Sequence, residues 1–223
     1  CKEAAKRDIV CFSSVFDESS VDFMEDLGAP AYKIASFENN HFPLIRKVAK
    51  TNKPMIISTG TASEKEVAEA VEVAREAGCS DLALLKCTSD YPAKVSDSNL
   101  SCIPYMKTKF DCVVGLSDHT VGIGAAVAGV ALGASIIEKH FTVSRALESV
   151  DSAFSADEEE FHLLVRECNG AHESIGKPTF ELSTREQAAT KFKRSIYASK
   201  PIKEGDILTK ENIRIVRPGK GLH

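Results

Sequence analysis

Two histidines in polar settings, His119 in GLSDHT and His140 in IIEKHF, are the residues best suited to chemistry in this sequence. Each closes an apolar, β-rich run. Imidazoles at the ends of neighbouring strands reach one divalent ion together. Side chains alternate along a strand, so Glu138 and His140 point to one side and Lys139 to the other. Two nitrogen ligands completed by water and substrate oxygens suit Mn²⁺, with Mg²⁺ or Co²⁺ as alternatives, better than a closed zinc site. Taken singly, either histidine is more simply a hydrogen-bonded strand residue. Their pairing is what points to a metal.

A second constellation comprises Lys33 and Ser36 in YKIAS, Ser58 in STGT, and Ser14 and Ser117 on flanking runs. One ammonium and several hydroxyls converging from different directions match the needs of a phosphate or carboxylate. A lone serine is more simply a cap or turn residue; only the set suggests an anion site. Ser58 and Thr59 are followed by Gly60 and a helix, whose first backbone N–H groups are expected to add to that site. Lys33, Lys86 and Lys139 are each candidates for Schiff-base chemistry. Lys86 and Lys139 fall in the opposite strand phase and are expected to be solvated or to face helices. GIGAAVAG has the wrong spacing for a dinucleotide fingerprint and lacks an acidic ribose partner; its small residues let a helix pack closely.

These groups need elements to position them. Six β-rich runs span residues 8–14, 31–36, 54–59, 82–88, 112–118 and 135–141, separated by amphipathic segments. In SEKEVAEAVEVAREAG, Val67, Ala70, Val71 and Ala74 form a helical stripe, and Ser63 with Glu66 forms a capping box. Strands alternating with single helices imply parallel βαβ units. The polar residues fall at successive strand ends, which a barrel gathers at one mouth and an open sheet does not. The expected fold is therefore α/β, a (β/α)8 TIM barrel. A closed barrel has eight strands, so two N-terminal strands are expected to be absent from this chain. A closing helix is expected within SADEEEFHLLVRECNGAHESIG, with Ser155 as its N-cap. The domains predicted are a partial barrel over 1–175, a linker over 176–192 and the start of a small domain over 193–223.

Composition excludes other classes. The chain has 223 residues, is 43% hydrophobic and carries a formal net charge of −4, so no broad basic face invites nucleic acid. No apolar run reaches the roughly 18 to 20 residues of a membrane span. Seven cysteines, Cys1, Cys11, Cys79, Cys87, Cys102, Cys112 and Cys168, form neither a disulfide framework nor a zinc pattern. Several lie in apolar strand-like runs and are expected to be small buried hydrophobes; none is assigned chemistry, and a reducing cytoplasm is expected. CKEAAKRDIVCFSS shows no leader and is expected to run directly into a strand, inside a larger protein.

YKIASFE, PMIISTG, LLKCTSDYPA, GLSDHTVGIGAAVAGVALGASIIEKHF and ESVDSAFS together resemble the sialic acid synthase family, and the resemblance covers nearly the whole chain. KCTSDYPA, ESVDSAFS and RPGKGLH look most like its pseudaminic acid branch. The resemblance implies a barrel followed by an antifreeze-like (SAF) domain, in a homodimer whose small domain covers the partner's site. It implies condensation of phosphoenolpyruvate with an open-chain amino sugar. Carried over, His119 and His140 become metal ligands, and Ser14, Lys33, Ser36, Ser58, Ser89 and Ser117 contact phosphoenolpyruvate. Tyr91, Asp151 and Arg217 become sugar contacts, and Glu138 an acid or base. Ser89 stands where some relatives carry Asn. Branches making N-acetylneuraminic or legionaminic acid are the alternative; a Schiff-base aldolase and an inactive carbohydrate-binding fragment are the rivals.

Overall fold

A computed structural model describes residues 2–147 and 149–222; Cys1, Glu148 of ESVDSAFS and His223 of RPGKGLH lie outside the described residues. The chain divides into two compact units, Cys1–Gly176 and Lys177–His223.

The first unit runs α1 (Lys2–Lys6), β1 (Ser13–Val15), α2 (Glu18–Asp26), β2 (Tyr32–Ile34), α3 (Phe42–Ala49), β3 (Met55–Ser58), α4 (Glu64–Glu76), β4 (Leu82–Cys87), α5 (Cys102–Phe110), β5 (Val113–Asp118), α6 (Gly124–Ala131), β6 (Ile136–Lys139) and α7 (Glu158–Ile175). The six strands are parallel and pair in sequence order. This is the wall of a barrel, and it turns all the strand C-termini to one rim. The second unit holds α8 (Thr184–Ala189) and an antiparallel pair, β7 (Ser195–Ala198) with β8 (Ile213–Val216). Among the described residues no helix is long and apolar enough to cross a membrane.

Tyr32, Ile34, Leu44, Ile45, Met55, Ile57, Leu84 and Ile103 are fully buried between strands and helices. The stripe of α4 packs as its spacing predicts, with Val67, Ala70, Val71 and Ala74 buried. Its start is the predicted capping box, in which Ser63 accepts from Glu66 N and Glu66 answers to Ser63 N at 2.7 Å.

Three local expectations are corrected. The chain does not run directly into a strand: KEAAK forms the short helix α1, where Glu3 pairs with Lys6 and Arg7. Of residues 8–14 only the end joins the sheet, because β2 offers partners only from Tyr32 to Ile34. The closing helix is capped by Asp157, which accepts from Glu160 N at 3.0 Å, not by Ser155. Ser155 is held earlier, its Oγ donating to Asp151 O at 2.7 Å beside the parallel bridge of Phe141 with Ala156.

Candidate active site

The rim encloses a cavity of about 360 Å³ lined by Ser14, Lys33, Ser36, Ser58, Tyr91, Ser117, Glu138, His119 and His140, with Ala35 and Lys139 at its margin. Strand alternation brings them together: Lys33 projects from β2, Ser58 from the end of β3, Ser117 from β5 and Glu138 from β6.

Glu138 sits between two of these groups. Its Oε1 accepts from Ser117 Oγ at 2.6 Å, and its Oε2 lies 3.3 Å from Lys33 Nζ. Lys33 is only 6% exposed, so its ammonium is held inside the rim with one carboxylate for company. Ser58 is 1% exposed, and its Oγ has no hydrogen-bond partner. A buried hydroxyl left unpaired beside a buried ammonium is a donor set waiting for an acceptor.

A tighter cluster lies behind this cradle. Ser36 Oγ accepts from Gly60 N at 3.2 Å and donates to Cys87 Sγ at 3.3 Å. Cys87 Sγ also lies 3.7 Å from Ser89 Oγ and 3.8 Å from His119 Nδ1. Burial pushes the Cys87 thiol up, but the contacts from His119, Ser36 and Ser89 outweigh it and bring it down to about 7. The close approach needs a glycine: a Cβ on Gly60 would stand 2.1 Å from Ser89 Oγ and 2.5 Å from Ser36 Oγ.

The two imidazoles face each other with ring centroids 5.2 Å apart, and Tyr91 stacks obliquely on His119 at 4.2 Å. His119 Nδ1 is 3.0 Å from the Thr88 carbonyl, which can only accept, so Nδ1 carries a proton and, in the neutral ring, Nε2 holds the lone pair. His140 Nδ1 lies 3.4 Å from Asp151 Oδ2, and Phe154 packs on its ring at 5.1 Å. Burial, then the positive partner His119, lower the His140 pKa, against the pull of Asp151 and Glu138. For His119 burial works the same way, but Cys87 and the Thr88 carbonyl prevail and raise it.

This donor set fits a divalent ion with two nitrogen ligands. Each Nδ1 lies near an oxygen, the Thr88 carbonyl for His119 and the Asp151 carboxylate for His140, as in the arrangement that orients metal-binding histidines. Among the described residues no group of three His, Cys, Asp or Glu could hold a metal, so the pair is the donor set these residues offer.

Of the other predicted residues, Asp151 stands at the His140 side, and Ser89 is not in the cavity lining but lies 3.7 Å from Cys87 Sγ. Arg217 lies in the second unit, directly after β8. Ahead of α4, the Ser63 N–H goes to Glu66 and the Gly60 N–H to Ser36 Oγ. Lys139 is not solvated; it is buried against Asp118. Cys87, expected to be inert packing, lies among the polar groups. The phase that turns Lys86 outward turns Cys87 inward, and that signal was present in KCT. Phe154 gave no such sign, because it reaches His140 from a loop.

A parallel barrel wall with an ammonium, hydroxyls and two facing imidazoles gathered at its C-terminal rim defines an α/β protein of the barrel class. Residues 1–179 match the NeuB family and residues 193–223 the SAF domain. The chain belongs to the NeuB family. It is 44% identical over 220 residues to the pseudaminic acid synthase of Campylobacter jejuni, covering 99% of this chain and 64% of that protein. To the N,N'-diacetyllegionaminic acid synthase of the same species it is 36% identical over 222 residues, covering 98% of this chain and 66% of the relative. The solved structure of N-acetylneuraminic acid synthetase from Leptospira borgpetersenii, in complex with citrate, superposes with a TM-score of 0.79 at 34% identity, covering 84% of this chain and 66% of that one. The chain thus spans just under two thirds of the length of the pseudaminic acid synthase it matches.

Proposed function

We propose that this chain is the greater part of a pseudaminic acid synthase, which joins phosphoenolpyruvate to an open-chain 2,4-diacetamido-2,4,6-trideoxy hexose with water, releasing phosphate and a nine-carbon acid. The observation that carries the reading is the meeting of Lys33, the unpartnered Ser58 hydroxyl and the His119–His140 pair in one cavity. The higher identity to a pseudaminic than to a legionaminic acid synthase supports the choice of sugar.

Lys33, Ser14, Ser36, Ser58 and Ser117 hold the carboxylate and phosphate of phosphoenolpyruvate, converting a bimolecular encounter into a positioned one. His119 and His140 hold a divalent ion, Mn²⁺ by the donor set, with Mg²⁺ or Co²⁺ as alternatives; bound there, it supplies Lewis acidity at the sugar aldehyde. The enol carbon then forms the new C–C bond, water adds at C2, and phosphate departs with C–O cleavage. Glu138, between Ser117 and Lys33, holds or takes a proton at its free lone pairs. Tyr91 and Asp151 border the sugar, and Ser89 supports the phosphoenolpyruvate end. The working unit is a homodimer in the cytoplasm, with Arg217 of the SAF domain reaching the partner's sugar.

The test is phosphate release by the full-length protein from phosphoenolpyruvate with each candidate sugar. Release with the diacetamido sugar is expected, with loss on chelation and in His119→Ala. Release only with N-acetylmannosamine would reassign the branch, and binding without release would mark a carbohydrate-binding protein. A borohydride-trapped lysine adduct with chelator-resistant turnover would instead identify a Schiff-base aldolase.

A further inference from the structure

Behind the cavity, β5 and β6 carry a second pair of charges that the proposed chemistry does not use. Ser117 and His119 face inward, which sends Asp118 outward; Glu138 and His140 do the same for Lys139. Asp118 and Lys139 are register partners on the last rung of the β5–β6 ladder. The β5–β6 pairing therefore stops one residue short of both histidines, whose carbonyls accept instead from Ala93 N at 3.0 Å and Ala156 N at 2.8 Å on separate loops.

The side chains continue where the ladder ends. Lys139 Nζ lies 2.8 Å from Asp118 Oδ2, and the two side chains are 2% and 1% exposed. The remaining valences close on the residue after His119: Asp118 Oδ1 accepts from Thr120 N at 2.9 Å and from Thr120 Oγ1 at 2.8 Å, and Lys139 Nζ donates to Thr120 O. Lys139, the residue that precedes His140, thus holds the Asp118 carboxylate and the Thr120 carbonyl, on the two residues that flank His119.

Desolvation consumes most of the attraction in a buried ion pair, and apolar side chains of similar size commonly stabilise as well or better. Charge adds direction. Hydrogen-bonded head groups fix one separation and one rotation, which apolar packing leaves freer.

We infer that the Asp118–Lys139 pair is a positioning device that sets the spacing of the His119 and His140 imidazoles. The inference rests on the reading of those histidines as joint metal ligands, and concerns what holds them. Asp118 is not in the cavity lining, and the Lys139 ammonium is taken up by Asp118 and Thr120.

The test uses the full-length protein carrying Asp118→Asn with Lys139→Met, which removes both charges and leaves no buried ion unpaired. Three quantities are read: the thermal midpoint, Mn²⁺ affinity by calorimetry, and, in metal-free protein, the ring-proton NOE between His119 and His140. A folded variant is expected to lose roughly 10- to 100-fold in Mn²⁺ affinity, the range typical of groups that orient metal ligands. The inter-ring NOE is expected to weaken with it. Affinity within twofold of the parent and an unchanged NOE would overturn the inference, whatever the thermal midpoint does. If the parent itself binds no Mn²⁺, the joint-ligand reading fails, and the NOE still decides the positioning role: retained in the variant, it refutes; lost, it supports. Should the double variant not fold, Thr120→Val keeps the ion pair and removes one strap. A smaller loss in the same two site readouts is expected there, and no change in either would be fatal.

Discussion

Ser58 shows how a single residue separates binding from stability. Its hydroxyl is buried with no partner, a state that costs a folded chain about 1–3 kcal/mol. Ser58→Ala removes that unpaired group, so the thermal midpoint should hold or rise. Phosphoenolpyruvate affinity should fall by about tenfold, since a hydrogen bond to a charged ligand contributes roughly 1.5–3 kcal/mol. Calorimetry and thermal scans on the same samples check both halves, and a midpoint that drops while affinity holds would make Ser58 a structural residue. Gly60 gives the opposite pattern. The added methyl of Gly60→Ala meets Ser89 and Ser36 oxygens well inside contact distance, so about 1–3 kcal/mol of stability and the geometry of the Ser36–Cys87 cluster are expected to go together. Denaturant unfolding measures the first and substrate affinity the second.

At the scale of elements, β4 is an interior strand of the sheet, paired with β3 on one side and β5 on the other. Leu84 on it is fully buried, and Leu84→Ala is expected to cost about 2–5 kcal/mol of unfolding free energy, mostly through the cavity left behind. A loss below 1 kcal/mol in urea titrations would mean that neighbouring side chains collapse into the space. The β5–β6 seam depends on Gly115, where a Cβ would stand 2.3 Å from Ile136 O. That close approach brings together the two strands that lead to His119 and His140. Elements of this kind were legible wherever periodicity was strong, as in α4 with its stripe and capping box. They were least legible at the ends. Residues 8–12 have β-rich composition, but a strand also needs neighbouring backbone to bond with, and propensity does not report it.

For the whole molecule, several carboxyls titrate below their ordinary values of 3.8 for Asp and 4.5 for Glu. The Ser20 N–H does this for Asp17, Lys53 for Glu25, Lys109 for Glu64 and the Ser63 hydroxyl for Glu66. A carboxyl depressed in the folded state stabilises it fully above the unfolded pKa and loses that contribution as pH falls through the folded one. The thermal midpoint is therefore expected to fall as pH drops below about 5. Glu25→Gln and Glu66→Gln should flatten that slope, because each removes a carboxyl whose folded and unfolded affinities for the proton differ; an unchanged slope would place the acid sensitivity elsewhere.

The order of strands and helices, the parallel barrel wall and the gathering of His119, His140, Lys33 and the serines at one rim follow from patterns local in sequence. Alternation along a strand and stripes along a helix are written in consecutive residues, and parallel strands turn their ends the same way. Tertiary structure alone decided which groups touch. It brought Cys87 against Ser36 and His119, Asp151 and Phe154 to His140, and Lys139 into a buried pair with Asp118. Those contacts join residues on different strands and loops, and their distances are set by how closely the strands pack and where the loops return. Neither quantity is written in the spacing of residues along the chain.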